Sequence, residues 1–238
     1  MYEERNVVFI DILGFKDLIY KSKENTDRIE EIVRVVNKLH DLCGHTGMDD
    51  DLQNGFDYNR QVSVFSDNIV ISYKEVGPAV YYLAREAMVI QLVLQYLGIF
   101  IRGGLAVGKL YHDGNTVIGP ALISAYELES KTAIYPRIVV DKSTQGDWGM
   151  LTKDFDGIYF LDYLGNVDEW EYYLEHTEKV TVEECLKKLY SDALLENNSL
   201  DLRIRAKHDW MRKYIFESIK SIDNTYQVAR LNRTLYTR

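Results

Sequence analysis

Cysteine is nearly absent from this chain, with only Cys43 and Cys185 present. Two thiols exclude a disulfide framework and a four-cysteine iron–sulfur cluster, and they suit a reducing compartment. Proline is almost as scarce, at Pro78, Pro120 and Pro136. No Gly/Ser-rich linker and no internal repeat interrupts the sequence. No apolar run approaches the roughly 20 residues of a membrane-spanning helix. The opening Met1-Tyr2-Glu3-Glu4-Arg5 lacks the basic start and apolar core of a signal peptide. A cytoplasmic protein with no membrane partner is therefore expected. Basic residues are outnumbered, 28 against 37 acidic ones, for a formal net charge of −9. Phosphate-backbone binding needs clustered Lys and Arg, so nucleic acid is not an expected partner. A small anionic ligand would have to bring its own metal. Also missing are a Gly-Lys-Ser/Thr phosphate loop, a G-x-S-x-G elbow and a dinucleotide fingerprint.

What remains is a 238-residue chain, 46% hydrophobic and 12% aromatic. A chain of this length buries about 70% or more of its unfolded surface and needs no covalent staple. Val7-Val8-Phe9-Ile10-Asp11-Ile12-Leu13 reads as a central strand, apolar on both sides and ended by Gly14. Asn25-Thr26 can cap a helix with the stripe Ile29, Ile32, Val33, Val36 and Leu39. Gly44 to Asn59 is polar and reads as a surface loop. Gln61 to Ser66 and Ile69 to Tyr73 are strands joined by a tight Asp67-Asn68 turn, because Asx residues tolerate positive φ. Pro78 opens a helix with the stripe Val80, Leu83, Ala84, Ala87, Ile90 and Leu94. Ile99 to Arg102 and Leu105 to Tyr111 read as two strands, and Ala121 to Ser130 as a short helix. Strands at Ile138 to Asp141 and Ile158 to Leu164 follow.

The order is β-α-β-β-α-β with additions. It predicts an α+β fold: a ferredoxin-like βαββαβ palm, its antiparallel sheet covered on one face by two helices. From about Thr181 the pattern turns helical, with stripes Leu186-Leu189-Tyr190-Leu194 and Trp210-Tyr214-Ile215-Ile219. The expected domains are 1–178, the palm, and 179–238, a helical C-terminal segment packed on it or on a second subunit.

Asp11 is the anomaly, an acid inside a core strand. Desolvating a carboxylate costs several kcal/mol, so it must be paired, protonated or bound to metal. Asp67 sits at the tip of the next hairpin. If the first strand lies beside the first strand of that hairpin, both acids reach one sheet edge. Two carboxylates there suit hard cations such as Mg²⁺ or Mn²⁺, which complete their shells with water and phosphate oxygens. Two such ions can activate an attacking hydroxyl and neutralise a departing pyrophosphate. Blander readings stand beside this one: Asp67 as an ordinary turn residue, and Asp11 as a strand-end cap or a partner of Arg102. The loop after Asp11 turns into a helix near Asp17, and backbone N–H groups at such a junction can hold phosphate.

Four segments carry a family resemblance. Phe9-Ile10-Asp11-Ile12-Leu13-Gly14-Phe15 resembles the F-x-D-I-x-G-F signature of the class III nucleotidyl cyclases. Val64-Phe65-Ser66-Asp67-Asn68 is similar to their Gly-Asp hairpin, with Ser66 in place of the glycine. Arg102-Gly103-Gly104-Leu105-Ala106-Val107-Gly108 resembles their R-x-G-I-x-x-G strand, and Glu127-Leu128-Glu129-Ser130 the R-L-E-S end of their helix. The motifs keep the family's order from residue 5 to about 142. The resemblance implies a homodimer with active sites at its interface, two divalent cations (Mn²⁺ or Mg²⁺) and a ribonucleoside triphosphate substrate. The ribose 3′-hydroxyl would attack the α-phosphate and release pyrophosphate. By position it implies metal binding by Asp11, Asp67 and the Ile12 carbonyl. It likewise implies phosphate binding by the backbone of Leu13, Gly14 and Phe15, and triphosphate contact by Arg102. A guanidinium fork suits phosphate oxygens in any case, although a structural ion pair would also use Arg102.

The departures narrow the expectation. The two base-reading positions fall on Ser63 and Thr116, which cannot reproduce the Lys/Asp or Glu readers of adenine and guanine. The transition-state Asn and Arg positions fall on Ile123 and Glu127. Lys109, Lys131 or the Lys207-His208-Asp209-Trp210 stretch would have to supply the missing cation, or the protein does not turn over. A short cyclase without purine determinants looks like the pyrimidine cyclases of bacterial Pycsar anti-phage systems. Those make cyclic UMP or cyclic CMP to trigger a separate effector, and uridine is the first expectation because small hydroxyls can bond a uracil edge. A nucleotide-sensing module without catalysis, a purine cyclase and a diguanylate-cyclase relative are the alternatives; the last lacks its G-G-D/E-E-F hairpin here. His40, Cys43 and His45 read as a helix end, since no fourth zinc ligand follows. Trp148, Trp170 and Trp210 read as core or interface anchors.

Overall fold

The computed structural model describes residues 1–23, 27–45, 56–144, 149–166, 170–195 and 199–236. The expected Asn25-Thr26 cap, the acidic part of the Gly44–Asn59 loop and Trp148 lie outside them. The chain divides into two compact units, Met1–Leu161 and Asp162–Arg238.

In the first unit β1 (Glu3–Ile12) is followed by α1 (Phe15–Ser22), α2 (Asp27–His45), the hairpin β2 (Gln61–Phe65) and β3 (Asn68–Lys74), α3 (Ala79–Tyr96), and β4 (Ile101–Asp113). The strand order is β2-β3-β1-β4, and β1 pairs antiparallel with both β3 and β4. This is the ferredoxin-like α+β arrangement. One expected pairing is wrong: β1 lies beside β3, not beside β2. The crossover through α1 and α2 carries the chain past one strand position, and β3 returns into the gap between the parallel strands β1 and β2.

From Arg5 to Ile10 every residue of β1 is buried, as a strand covered on both faces must be. Side chains alternate along it. Val7 and Phe9 join Val70 and Ala106 in a cluster closed by Ala121 and Ala125 of α4 (Pro120–Glu127). Val8 and Ile10 point the other way, toward the face that α3 covers. Helices therefore lie on both faces, not on one. The α3 surface from Glu86 to Gln95 is buried all round. Glu86 of α3 accepts from Arg60 Nε (3.1 Å) and from the Tyr73 hydroxyl of β3 (2.8 Å), while Arg60 also donates to the Cys43 carbonyl (2.5 Å).

The two strands expected at 99–102 and 105–111 are one, β4. Gly103-Gly104 looks like a break but sits mid-strand. A Cβ on Gly104 would collide with the Ala125 carbonyl and come within 2.6 Å of Leu128 Cβ, so the glycine lets α4 and the π-helical turn after it (Leu128–Thr132) press onto the strand. β5 (Thr116–Ile118) folds back on the end of β4. The sheet then grows by β6 (Ile138–Val140), β7 (Leu151–Lys153) and β8 (Tyr159–Leu161), in the order β4-β6-β8-β7. The stripe expected on α2 is only partly buried: Leu39 is sealed, whereas Ile29 and Val33 are exposed.

The second unit holds α5 (Glu171–Tyr173), α6 (Val182–Leu194) and α7 (Leu202–Tyr236). It begins at Asp162 rather than at the expected 178/179 boundary, and Asp162, Tyr163, Leu164 and Trp170 bond within it. Trp170 Nε1 donates to the Tyr163 carbonyl (3.0 Å), the Leu164 N–H to the Tyr214 hydroxyl (3.0 Å), and the Tyr214 hydroxyl to Asp162 Oδ1 (2.7 Å). Trp170 and Trp210 are buried anchors, as expected. Thr181 and Glu184 close a capping box on α6. The buried α6 stripe is Val182-Cys185-Leu189; Tyr190 and Leu194 of the expected stripe are exposed. Among the described residues no helix is long and apolar enough to cross a membrane.

Candidate active site

Asp11 occupies the last turn-facing position of β1, opposite Arg102 on β4 and opposite Asn68 on β3. It shares its sheet face with Phe9, and therefore with α4. The β2–β3 turn brings Asp67 to the same corner: the Ile12 N–H donates to the Asp67 carbonyl at 3.2 Å. The turn's left-handed residue is Ser66 (φ 58), not Asp67 or Asn68 as the Asx pair suggested. Asn68 starts β3, and its amide donates to Asp67 Oδ1 at 3.1 Å.

Arg102 fills the space between carboxylates. Its Nε and Nη2 each lie 3.3 Å from Asp11 Oδ2, and its Nε lies 2.6 Å from Glu129 Oε1. Burial raises the Asp11 carboxyl above the usual carboxylate range, Arg102 pulls it back, and the charge of Asp67 raises it again. The charge of Asp67 thus acts on Asp11, the Ile12 to Asp67 backbone bond holding the two residues at one corner. Glu129, nearly sealed from solvent, is the member that sequence reasoning missed. A glutamate in a helical run looks solvated, and only the contact with Arg102 reveals it.

With all three acids ionised, the corner carries a formal charge of −2 against one guanidinium. Among the described residues no three His, Cys, Asp or Glu side chains converge on one metal position. The candidate donors at the corner are the carboxylates of Asp11 and Asp67. That set fits Mg²⁺ or Mn²⁺, which need only one or two carboxylates when phosphate oxygens and water complete the shell. His40, Cys43 and His45 form no metal cluster among the described residues; Cys43 is buried, and burial pushes its thiol up to about 12.

Of the residues expected to hold phosphate, Gly14 takes φ 83 and caps α1, which starts at Phe15, so that the helix is capped three residues after Asp11 and opens with first-turn N–H groups that no earlier turn can satisfy. The Leu13 N–H is not among them, because it donates to the Phe100 carbonyl at 2.9 Å.

On the same sheet face lies a cleft of about 450 Å³, a size usual for small-molecule sites, lined by Phe9 and Phe65, each two residues from one of the acids. Phe9, Phe65 and Val70 form its floor, and Ile123 and Tyr126 of α4 one wall. Tyr126 stands edge-on to Phe9 at 5.5 Å. The two expected base readers are not in it. Ser63 is buried: its hydroxyl donates to the Gly114 carbonyl (2.6 Å) and lies 2.9 Å from His112 Nε2. Thr116 is exposed and alternates away from Val117, which does line the cleft. Ile123 faces the cleft, while Glu127 pairs on the surface with Lys131 at 2.6 Å. Lys131 is thus engaged; Lys109 is exposed on β4, and Lys207 and His208 belong to α7.

No family model and no curated protein matches the chain. Among solved structures it is similar to a class III adenylyl cyclase-like ATP-binding protein from Pseudomonas aeruginosa, at 14% sequence identity and a TM-score of 0.39. That likeness covers 60% of this chain and 34% of the other, so the chain spans about a third of that protein's length.

Proposed function

We propose that this chain is a metal-dependent nucleotidyl cyclase acting on a pyrimidine ribonucleoside triphosphate, UTP before CTP. The single observation that carries the reading is the meeting of Asp11 and Asp67, distant in sequence, at one corner beside Arg102. Asp11, Asp67 and the Ile12 carbonyl would hold two divalent cations. Cations held by these groups would supply Lewis acidity toward the α-phosphate and the ribose 3′-hydroxyl. The chain's own groups do the rest. Gly14 and Phe15 orient phosphate oxygens through backbone N–H groups, and Arg102 offsets the charge of the triphosphate. The apolar cleft excludes water from the reacting centre and seats the base. The products would be the 3′,5′-cyclic monophosphate and pyrophosphate, the former a second messenger in anti-phage defence.

The same reading includes a homodimer. Phe65, Ile123 and Tyr126, each more than half exposed, line the cleft. A second copy covering them would close each site from above, and sedimentation is expected to give twice the 27.7 kDa chain mass. Ile123 and Glu127 favour a second reading, a module that binds nucleotide and does not turn it over, because neither side chain can stabilise a pentacovalent phosphate.

Incubation with each of the four NTPs and Mn²⁺, read by mass spectrometry, separates these. Cyclic UMP is expected, with Asp11→Asn and Asp67→Asn each losing on the order of a hundredfold or more in rate, since the metal supplies several kcal/mol. Cyclic AMP or cyclic GMP as the main product makes the protein a purine cyclase. Nucleotide binding without any product makes it a sensor.

A further inference from the structure

The buried residues of α4 and of the π-helical turn after it are Ala121, Ala125 and Glu129, four residues apart. Two alanines followed by an acid make an odd stripe, because a sealed carboxylate costs several kcal/mol unless an opposite charge meets it. The Glu129 side chain is 3% exposed, and it meets Arg102: Oε1 lies 2.6 Å from the guanidinium Nε. The turn that carries it is pressed onto the sheet. A Cβ on Gly104 of β4 would lie 3.0 Å from the Glu129 N, so the glycine gives the turn its room. The Ala133 N–H donates to the Leu128 carbonyl at 2.8 Å and closes the turn. Single π-turns of this kind are frequent at functional positions.

Arg102 also reaches a second acid. Its Nε and Nη2 donate to Asp11 Oδ2, both at 3.3 Å, which is long for charge-assisted bonds. The two carboxylates differ in access. Asp11 keeps 20% of its side chain exposed, so a cation from solvent can reach it, whereas Glu129 is sealed. Among the described residues no three acids converge on a metal position. Glu129 therefore serves the guanidinium and not a metal. One arginine stands between an accessible carboxylate and a buried one, and a small turn of its side chain exchanges the first for the second.

We propose that Glu129 is a positioning residue that takes Arg102 over from Asp11 when a divalent cation binds there. The proposal rests on the metal reading of the Asp11–Asp67 corner and adds a regulation of that site. In the metal-free chain Arg102 gives Asp11 its counter-charge. A dication at Asp11 repels the guanidinium, so Arg102 must give way for the cation to stay. Glu129 already touches Nε, and the exchange leaves neither Arg102 nor Glu129 as an uncompensated charge. Without that acceptor Arg102 would compete with the metal for Asp11. The exchange also sets an order. Arg102 is engaged with Asp11 until the metal arrives, so its guanidinium turns to phosphate only afterwards.

The test is a double-mutant cycle on the Mn²⁺ affinity of the full chain, read without nucleotide from the electron-spin-resonance signal of unbound Mn²⁺. Thermal melting without metal checks the fold of each variant, and Asp11→Asn gives the background of binding elsewhere. Glu129→Gln is expected to weaken Mn²⁺ about tenfold, within the usual range of coupling between sites. Arg102→Gln removes the competitor and should tighten Mn²⁺ binding. In the Arg102→Gln background the Glu129→Gln loss should shrink to about threefold or less, because the two residues act through each other. Equal losses in both backgrounds overturn the proposal, since Glu129 would then act through its charge alone. Glu129→Asp keeps the charge but draws it back by one methylene, so it should lose nearly as much as Glu129→Gln; wild-type affinity in Glu129→Asp likewise overturns the proposal. That variant decides alone if the chains carrying Arg102→Gln do not fold. A wild type that binds Mn²⁺ no better than Asp11→Asn overturns the metal reading and this proposal with it.

Discussion

His112 shows how one residue can answer to its surroundings at the expense of its own chemistry. Desolvation under the hairpin, reinforced by the positive charge of Arg5, pushes its imidazole down to about 4; Asp113 pulls the other way with less effect. An unfolded histidine takes up its proton near pH 6.5. Between those two values the unfolded chain binds a proton that the folded one refuses, so stability must drop as the pH falls from 6.5 toward 4. The full shift corresponds to about 3 kcal/mol. Urea denaturation at pH 7 and pH 5 should show about 2 kcal/mol of that loss, and His112→Gln should remove most of the difference. An unchanged pH slope in the variant would mean that other groups set it. Single residues were also unequally legible from sequence. Asp11 stood out because a charge inside a hydrophobic run contradicts its neighbours. Glu129 did not, because a glutamate in a helix agrees with its neighbours. The ion pair with Arg102 and the cleft exist only once the sheet is assembled.

Elements were legible where their periodicity was unmixed. The β1 run, the β2–β3 hairpin and the α3 pattern gave the split βαββαβ order directly, because a strand buried on both faces and a long apolar helix have no competing reading. The failures share a cause in tertiary contact. β4 read as two strands because two glycines ordinarily break a strand, yet here their missing side chains make room for α4 and its π-helical turn. The α6 stripe was misassigned because leucine is the more conspicuous apolar residue, while packing selects Val182 and Cys185 instead. The β4 case predicts a consequence. Gly104→Ala puts a methyl group against the Ala125 carbonyl and the Leu128 side chain, and overpacking of this kind costs about 1–3 kcal/mol. Because α4 forms a wall of the cleft, nucleotide affinity should fall along with the thermal midpoint. Gly14→Ala strains a left-handed backbone with open space around it, so it should also destabilise, but leave α4 and base preference alone. Equal effects of the two substitutions on base preference would contradict this division.

The whole molecule carries −9, and the site adds three carboxylates around one guanidinium. A triphosphate approaching alone meets repulsion from the corner that is meant to receive it, weakened by salt but not removed at a partly buried site. On the proposed reading divalent cations would reverse the sign: held by Asp11 and Asp67, they would offset the carboxylates and offer positive charge to the phosphates. Binding must then be synergistic. UTP alone should leave the melting temperature unchanged, and Mn²⁺ alone should raise it slightly by relieving the Asp11–Asp67 repulsion that now raises Asp11. The two together should stabilise by RT ln(1 + [L]/Kd), about 2.7 kcal/mol at a hundredfold excess over Kd, which corresponds to a rise on the order of 5 °C for a domain of this size. Asp67→Asn removes one carboxylate and the repulsion together. It should therefore melt at or above the wild type without ligand, yet lose the joint effect of Mn²⁺ and UTP. A wild-type shift produced by UTP without any divalent ion would place phosphate recognition on Arg102 and the Gly14 loop alone, and would remove the metals from the account of this site.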